Sequence, residues 1–204
     1  MDDETVPEKP TIWKEAKNYI EQGNYDQAIE IYKYLLIRYG NNSIVVERAN
    51  ANLGDIYLTI KQLDLAESYI NKAINCNPKK PDYHYLLGFL YSKQSQWGKA
   101  IREFEVAIDK NPHNAEFLRG LGWAEFNAGD RFRGMECLKE AKELDHSDIN
   151  ILLDLANAHL LNLDFVEAKQ YAQEALHFDH GNALAQKVFD KICQFQRDYR
   201  KGKS

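Results

Sequence analysis

Cysteine is scarce in this chain: Cys76, Cys137 and Cys193 are the three among 204 residues, far apart and in no CxxC pair. An odd, scattered set excludes a disulfide framework and offers no zinc site. The expectation is three small thiols in a reducing compartment, the cytoplasm. Five prolines and eleven glycines are too few for a long flexible linker. No apolar run approaches the roughly 20 residues of a membrane helix, so no membrane insertion is expected. The opening MDDETVPEKP is acidic and lacks the apolar segment of a secretory leader. Dense positive charge is missing too. The formal net charge is −5 at pH 7, which argues against nucleic acid as a partner. The one cationic run, Arg197 to Lys203, and the acidic cluster Asp2, Asp3, Glu4 and Glu8 read as solvated ends. There is no Gly-rich phosphate loop and no HExxH, GxSxG or EF-hand pattern. His177 and His180 in HFDH sit at a helix end, where His suits the dipole, and not in a metal clamp. The expectation is a non-enzyme with no metal and no cofactor.

What the chain has is a period. Gly54, Gly88 and Gly122 recur every 34 residues, with Ala156 continuing the series. The same step carries Leu53, Leu87, Leu121 and Leu155, then Ala73, Ala107, Ala141 and Ala175, then Ala66, Ala100, Gly134 and Ala168. Four columns holding one period over four copies establish a repeat. Within a copy, Leu87, Gly88 and Tyr91 share one helical face, and Ala100, Phe104 and Ala107 share another. Small residues let two paired backbones approach while an aromatic ring fills the space beside them. Glycine inside a helix costs about 1 kcal/mol against alanine. Its recurrence implies that a larger side chain there costs more. Pro78 and Pro112 fall where the second helix stops.

These residues, Leu53-Gly54, Tyr57, Ala66, Ile70, Ala73 and Pro78, then Leu87-Gly88, Tyr91, Ala100, Phe104, Ala107 and Pro112, resemble the tetratricopeptide repeat. The resemblance frames five units at 9–42, 47–80, 81–114, 115–148 and 149–182, after an acidic tail at 1–8. A capping helix at 183–199 and a basic tail at 200–204 follow. Glu125 and His159 stand where the pattern has tyrosine, Gly134 where it has alanine, and His146 and His180 where it has proline. Ser43 to Val46 interrupt the period, from which a longer second helix in the first unit is expected. The fold implied is all-α: a right-handed superhelix of helix-turn-helix repeats with a concave and a convex side.

Residues two apart on a helix point about 200° apart, so the face opposite Leu87 and Tyr91 is the one that, in this family, lines the concave groove. It offers Trp13 and Lys17, then Arg48 and Asn52, Tyr85 and Phe89, Arg119, Trp123 and Asn127, and Asn157. Aromatic rings flanked by Arg and Asn are residues that dominate interface energies. Two readings stand for Tyr85, Phe89 and Trp123: contact with a ligand, or sealing the seam between neighbouring first helices. Phe126 and Leu160 fit the seam, and Arg119 and Asn157 fit a ligand. The family's chaperone-tail carboxylate clamp does not carry over, because Trp13 replaces a lysine and Asp82 and Leu86 fill cationic places beside Asn52. The expected function is a protein-binding scaffold or adaptor that grips a peptide or subunit of a partner and assists assembly. Self-association into a structural homo-oligomer and a regulatory accessory role on an enzyme are the alternatives.

Overall fold

A 34-residue period broken by a turn predicts two helices per copy, and the computed structural model, which describes residues 10–202, has them in that order. They run α1 Pro10–Glu21, α2 Tyr25–Arg38, α3 Ser43–Thr59, α4 Leu63–Cys76, α5 Pro81–Lys93, α6 Trp97–Lys110, α7 Ala115–Ala128, α8 Arg131–Leu144, α9 Ile149–Leu161, α10 Phe165–Phe178 and α11 Ala183–Lys201. There is no strand among the described residues. The all-α class is as expected. The acidic tail at 1–8, with Lys203 and Ser204 of the basic tail, lies outside the described residues, and Arg200 and Lys201 continue α11.

Short polar side chains set the helix starts. Asn42, Asn114 and Asn182 each accept a hydrogen bond on Oδ1 from the N–H three residues on, and Asp148 accepts from Asn150 and Ile151. Each satisfies an amide that the first turn leaves without a partner. Pro81 opens α5 instead, where its missing N–H does no harm. Asn42 also corrects one expectation. The interruption at Ser43–Val46 does not lengthen α2, which has 14 residues like α4; it lengthens α3 to 17, because the cap begins that helix at Ser43.

The turns inside the repeats share one backbone device. Gly23 (φ 75°), Lys61 (62°), Ser95 (57°), Gly129 (108°) and Leu163 (65°) all adopt the left-handed region at the same place in five copies. One such residue ends the first helix and redirects the chain into the second. Glycine takes this conformation freely, whereas Lys, Ser and Leu each give up about 1 kcal/mol.

By its contacts the chain divides into two compact units, Met1–Gln96 and Trp97–Ser204. In the first, α1 packs on α2, α2 on α3, α3 on α4 and α4 on α5. Its core includes Leu35, Leu53, Ile56 and Ile70, all fully buried. A Cβ on Gly54 would lie 2.6 Å from Cγ1 of Ile70, so glycine is what lets α3 and α4 meet. In the second unit α6 packs on α7, α7 on α8, α8 on α9 and α9 on α10, and α11 covers α10 and α9. Leu138, Ile151 and Leu155 form one part of its core. Ala185, Val188 and Ile192 of α11 close another part over Leu152, Ala168, Ala172 and Ala175.

The irregular positions of the repeat have local explanations in this unit. Gly134 meets Gly122 back to back across α7 and α8; a Cβ on Gly134 would lie 2.7 Å from both the Gly122 oxygen and the Phe126 nitrogen. Glu125, in the tyrosine position, is buried and holds Arg133 Nη1 at 2.7 Å, while Arg133 Nη2 reaches Glu105 at 2.7 Å. His159, also in that position, stacks on Tyr171 with ring centroids 5.4 Å apart.

Candidate functional site

In the first unit the predicted face gathers residues from α1, α3 and α5. The Arg48 guanidinium lies 4.4 Å over the Trp13 ring, which in turn sits 5.8 Å from the Tyr32 ring. Tyr32 donates through its hydroxyl to Asn52 Oδ1 at 3.2 Å, and Asn52 Nδ2 donates to the Arg48 carbonyl at 2.7 Å. Four side chains thus hold one another in place. Burial pushes the Tyr32 hydroxyl up to about 12, Arg48 opposing and Asp55 adding to it, so the phenol stays a donor throughout the neutral range. Lys17 is paired 3.6 Å from Glu21 along the exposed edge of α1.

Farther along the same unit a cleft of about 630 Å³ opens between α3 with its turn and α5. Leu58, Leu63, Tyr85, Leu86 and Phe89 supply apolar lining, and Asp55, Thr59, Lys61 and Lys93 supply polar groups. The Tyr85 and Phe89 rings stack with centroids 6.4 Å apart, and Lys93 Nζ caps Phe89 at 4.6 Å. Burial raises the Asp55 carboxyl above its ordinary range. A concave, largely apolar surface with a few convergent polar groups is the usual form of a ligand site. Tyr85 and Phe89 come from the helical face read in the sequence. Thr59, Lys61 and Leu63 are additions from the end of α3, its turn and the first residue of α4, which a count along one helix face does not reach. The signal for them lay in the repeat itself, since the turn follows α3 at a fixed distance.

The second unit treats its predicted residues differently. Arg119 is held on two sides: Nε and Nη2 donate to Glu116 at 2.8 and 2.6 Å, and Nη1 donates to Asp154 at 2.9 Å. The arginine expected to meet a ligand therefore ties α7 to α9. Burial raises the Asp154 carboxyl, and Arg119 pulls it back only in part. Trp123 stacks on buried Phe126 with centroids 6.1 Å apart and planes 3° from parallel, and Arg131 lies 5.4 Å over the Phe126 ring. Asn127 donates to the Trp123 carbonyl at 2.7 Å and is itself exposed, while Asn157 is half-buried on α9. Phe126 and Leu160 are both buried, 4% and 5% exposed. The described residues contain no cluster of His, Cys, Asp or Glu able to hold a metal, and no helix among them is long and apolar enough to cross a membrane.

Comparison with known proteins agrees with this architecture. Two family models described as tetratricopeptide repeat match residues 19–88 and 81–114. The BBSome complex member BBS4 of Bos taurus is 26% identical over 154 residues, 74% of this chain and 28% of that protein. The chain spans between 8% and 28% of the length of the first curated relatives it matches. Among solved structures, the type IV pilus biogenesis factor PilW superposes with a TM-score of 0.82 at 17% identity, over 96% of this chain and 89% of that one. TTC0263, a thermophilic tetratricopeptide-repeat protein of Thermus thermophilus, gives a TM-score of 0.76 at 15% identity, over 90% and 97% of the two chains. At those identities the likeness is one of fold.

Proposed function

This chain is a tetratricopeptide-repeat protein, and from that premise we propose that it is a scaffold or adaptor that grips a segment of a partner protein. The α3–α5 cleft is the centre of the grip. One observation carries this reading: Tyr85 and Phe89 stack over a cleft with Leu58, Leu63 and Leu86 in its lining. Rings of this kind gain affinity by entering a desolvated contact, and such residues dominate measured interface energies. The neighbouring Trp13–Arg48–Asn52 set is already ordered by its own contacts, so a partner meeting it would not have to immobilise it. The membership of BBS4 in the BBSome and the part PilW plays in pilus biogenesis support assembly as the general role.

The reading requires no catalytic step and no cofactor. Free thiols at Cys76, Cys137 and Cys193 support a reducing, cytoplasmic setting. The test is a photo-crosslinking amino acid placed at Phe89, with exposed Glu30 on α2 as the control position. A discrete adduct in lysate from position 89 and none from position 30 is expected. The same adducts from both positions, or none from either, would refute it.

A further inference from the structure

The second unit carries an apolar edge that its own packing does not use. Phe132 is 78% exposed, Val166 71%, Phe195 50% and Leu163 44%. The first two occupy the second position of α8 and α10, a place filled by Asp26 in α2, Asp64 in α4 and Gly98 in α6. Aspartate suits the first turn of a helix, and glycine leaves the place empty. The repeat therefore needs no apolar side chain there. Leu163 deepens the anomaly, for it holds φ 65° in the turn where the preceding copy has Gly129. A leucine in that conformation gives up about 1 kcal/mol and still points much of its surface to solvent.

These residues form one neighbourhood. Arg131 Nη1 donates to Asn162 Oδ1 at 3.2 Å, which ties the start of α8 to the turn before α10. Phe165 lies 6.5 Å from Phe195 and 5.4 Å from Tyr199, which ties the start of α10 to α11.

We propose that this edge is a self-association surface that takes a second copy of the chain about a two-fold axis. Charge favours that occupant. Arg133 is taken up by Glu105 and Glu125, which leaves exposed Arg131 as the basic neighbour of Phe132, whereas exposed Glu167 is the acidic neighbour of Val166. A two-fold axis between α8 and α10 sets the basic flank of each copy against the acidic flank of the other, and Phe132 against Val166. An isologous contact has that self-complementary form.

Area sets its strength. The four apolar side chains expose on the order of 400 Å², so two copies bury on the order of 1,000 Å² once the charged rim is included. An interface of that size belongs with the small, reversible contacts, so the dimer is expected to dissociate within the micromolar range. None of these residues lines the α3–α5 cleft, and the dimer holds or fails independently of the grip proposed there.

The experiment is sedimentation of the full chain from about 5 to about 500 µM. The weight-average mass is expected to climb from one chain towards two. Phe132→Asp and Val166→Asp are each expected to keep it at one chain across the range, with the helical circular dichroism and melting temperature unchanged. Glu167→Arg should weaken the dimer more than about tenfold, because a two-fold contact makes each charge pair twice. Adding Arg131→Glu to it should restore the wild-type constant. A wild type that stays monomeric at the highest concentration overturns the proposal and leaves the edge to a different protein. A dimer untouched by both aspartates overturns it as well. So does a double exchange that fails to rescue.

Discussion

Replacing Gly134 by alanine tests the claim that close backbone approach holds the second unit together. By helix propensity alone the change stabilises α8 by about 1 kcal/mol. The structure predicts the opposite sign, because the new Cβ would lie 2.7 Å from the Gly122 oxygen and 2.7 Å from the Phe126 nitrogen. Both are backbone atoms, so no side-chain rotation relieves the contact. With an optimum near 3.5 Å, α7 and α8 must part by roughly 0.8 Å, which forfeits a substantial share of the dispersion energy along their seam. Overpacking of this kind costs about 1–3 kcal/mol. Set against the propensity gain, the net expectation is a loss of about 1 kcal/mol, or roughly 2–4 °C in melting temperature for a chain this long. Gly98→Ala is the control, since a Cβ there meets nothing within 4 Å; it should be neutral or gain up to about 1 kcal/mol. Urea titration followed by circular dichroism gives both differences, and hydrogen exchange on α7 and α8 locates the damage. A Gly134→Ala protein as stable as the wild type would refute the reasoning.

Three further changes probe other parts of the structure. Arg119→Ala takes the guanidinium away from Asp154, whose side chain is 21% exposed, and should cost about 1–3 kcal/mol in urea titration; an unchanged midpoint would show that the pairing does not join α7 to α9. Burial raises the Glu125 carboxyl above its ordinary 4.5, with Arg133 lowering it only in part. The folded state then binds more protons than the unfolded one, so this group's contribution falls as pH climbs from about 4.5 through the raised value. The stability of Glu125→Gln relative to wild type should accordingly improve across that window, and a pH-independent difference would contradict it. Phe89→Glu should weaken capture of a crosslinked partner by about tenfold or more while the melting temperature holds; retained capture would move the grip elsewhere.

Much of the fold was legible because a repeat writes its own packing rule. Ala66, Ala100 and Ala168 recur where helices touch, and the residues on either side follow from the helical period. Turn positions were less legible. Lys61, Ser95 and Leu163 take a left-handed conformation that their side chains do not advertise, and only their register with Gly23 and Gly129 connects them. The cleft was half visible for the same reason: Tyr85 and Phe89 lie on a readable face, whereas Lys61 and Leu63 enter from a turn and the helix start after it.

The amino-acid order by itself determined the all-α class, the paired helices and the helical faces on which Trp13, Arg48, Tyr85, Phe89 and Trp123 fall, since those depend on spacing along one chain. Tertiary structure alone decided what each polar group on those faces meets. Arg119 looked available for a ligand because its partner Asp154 is 35 residues away, and Glu125 looked out of place because Arg133 returns to it only across the α7–α8 hairpin. A charge is free or paired according to distances in space, and spacing along the chain does not encode those until the helices have packed.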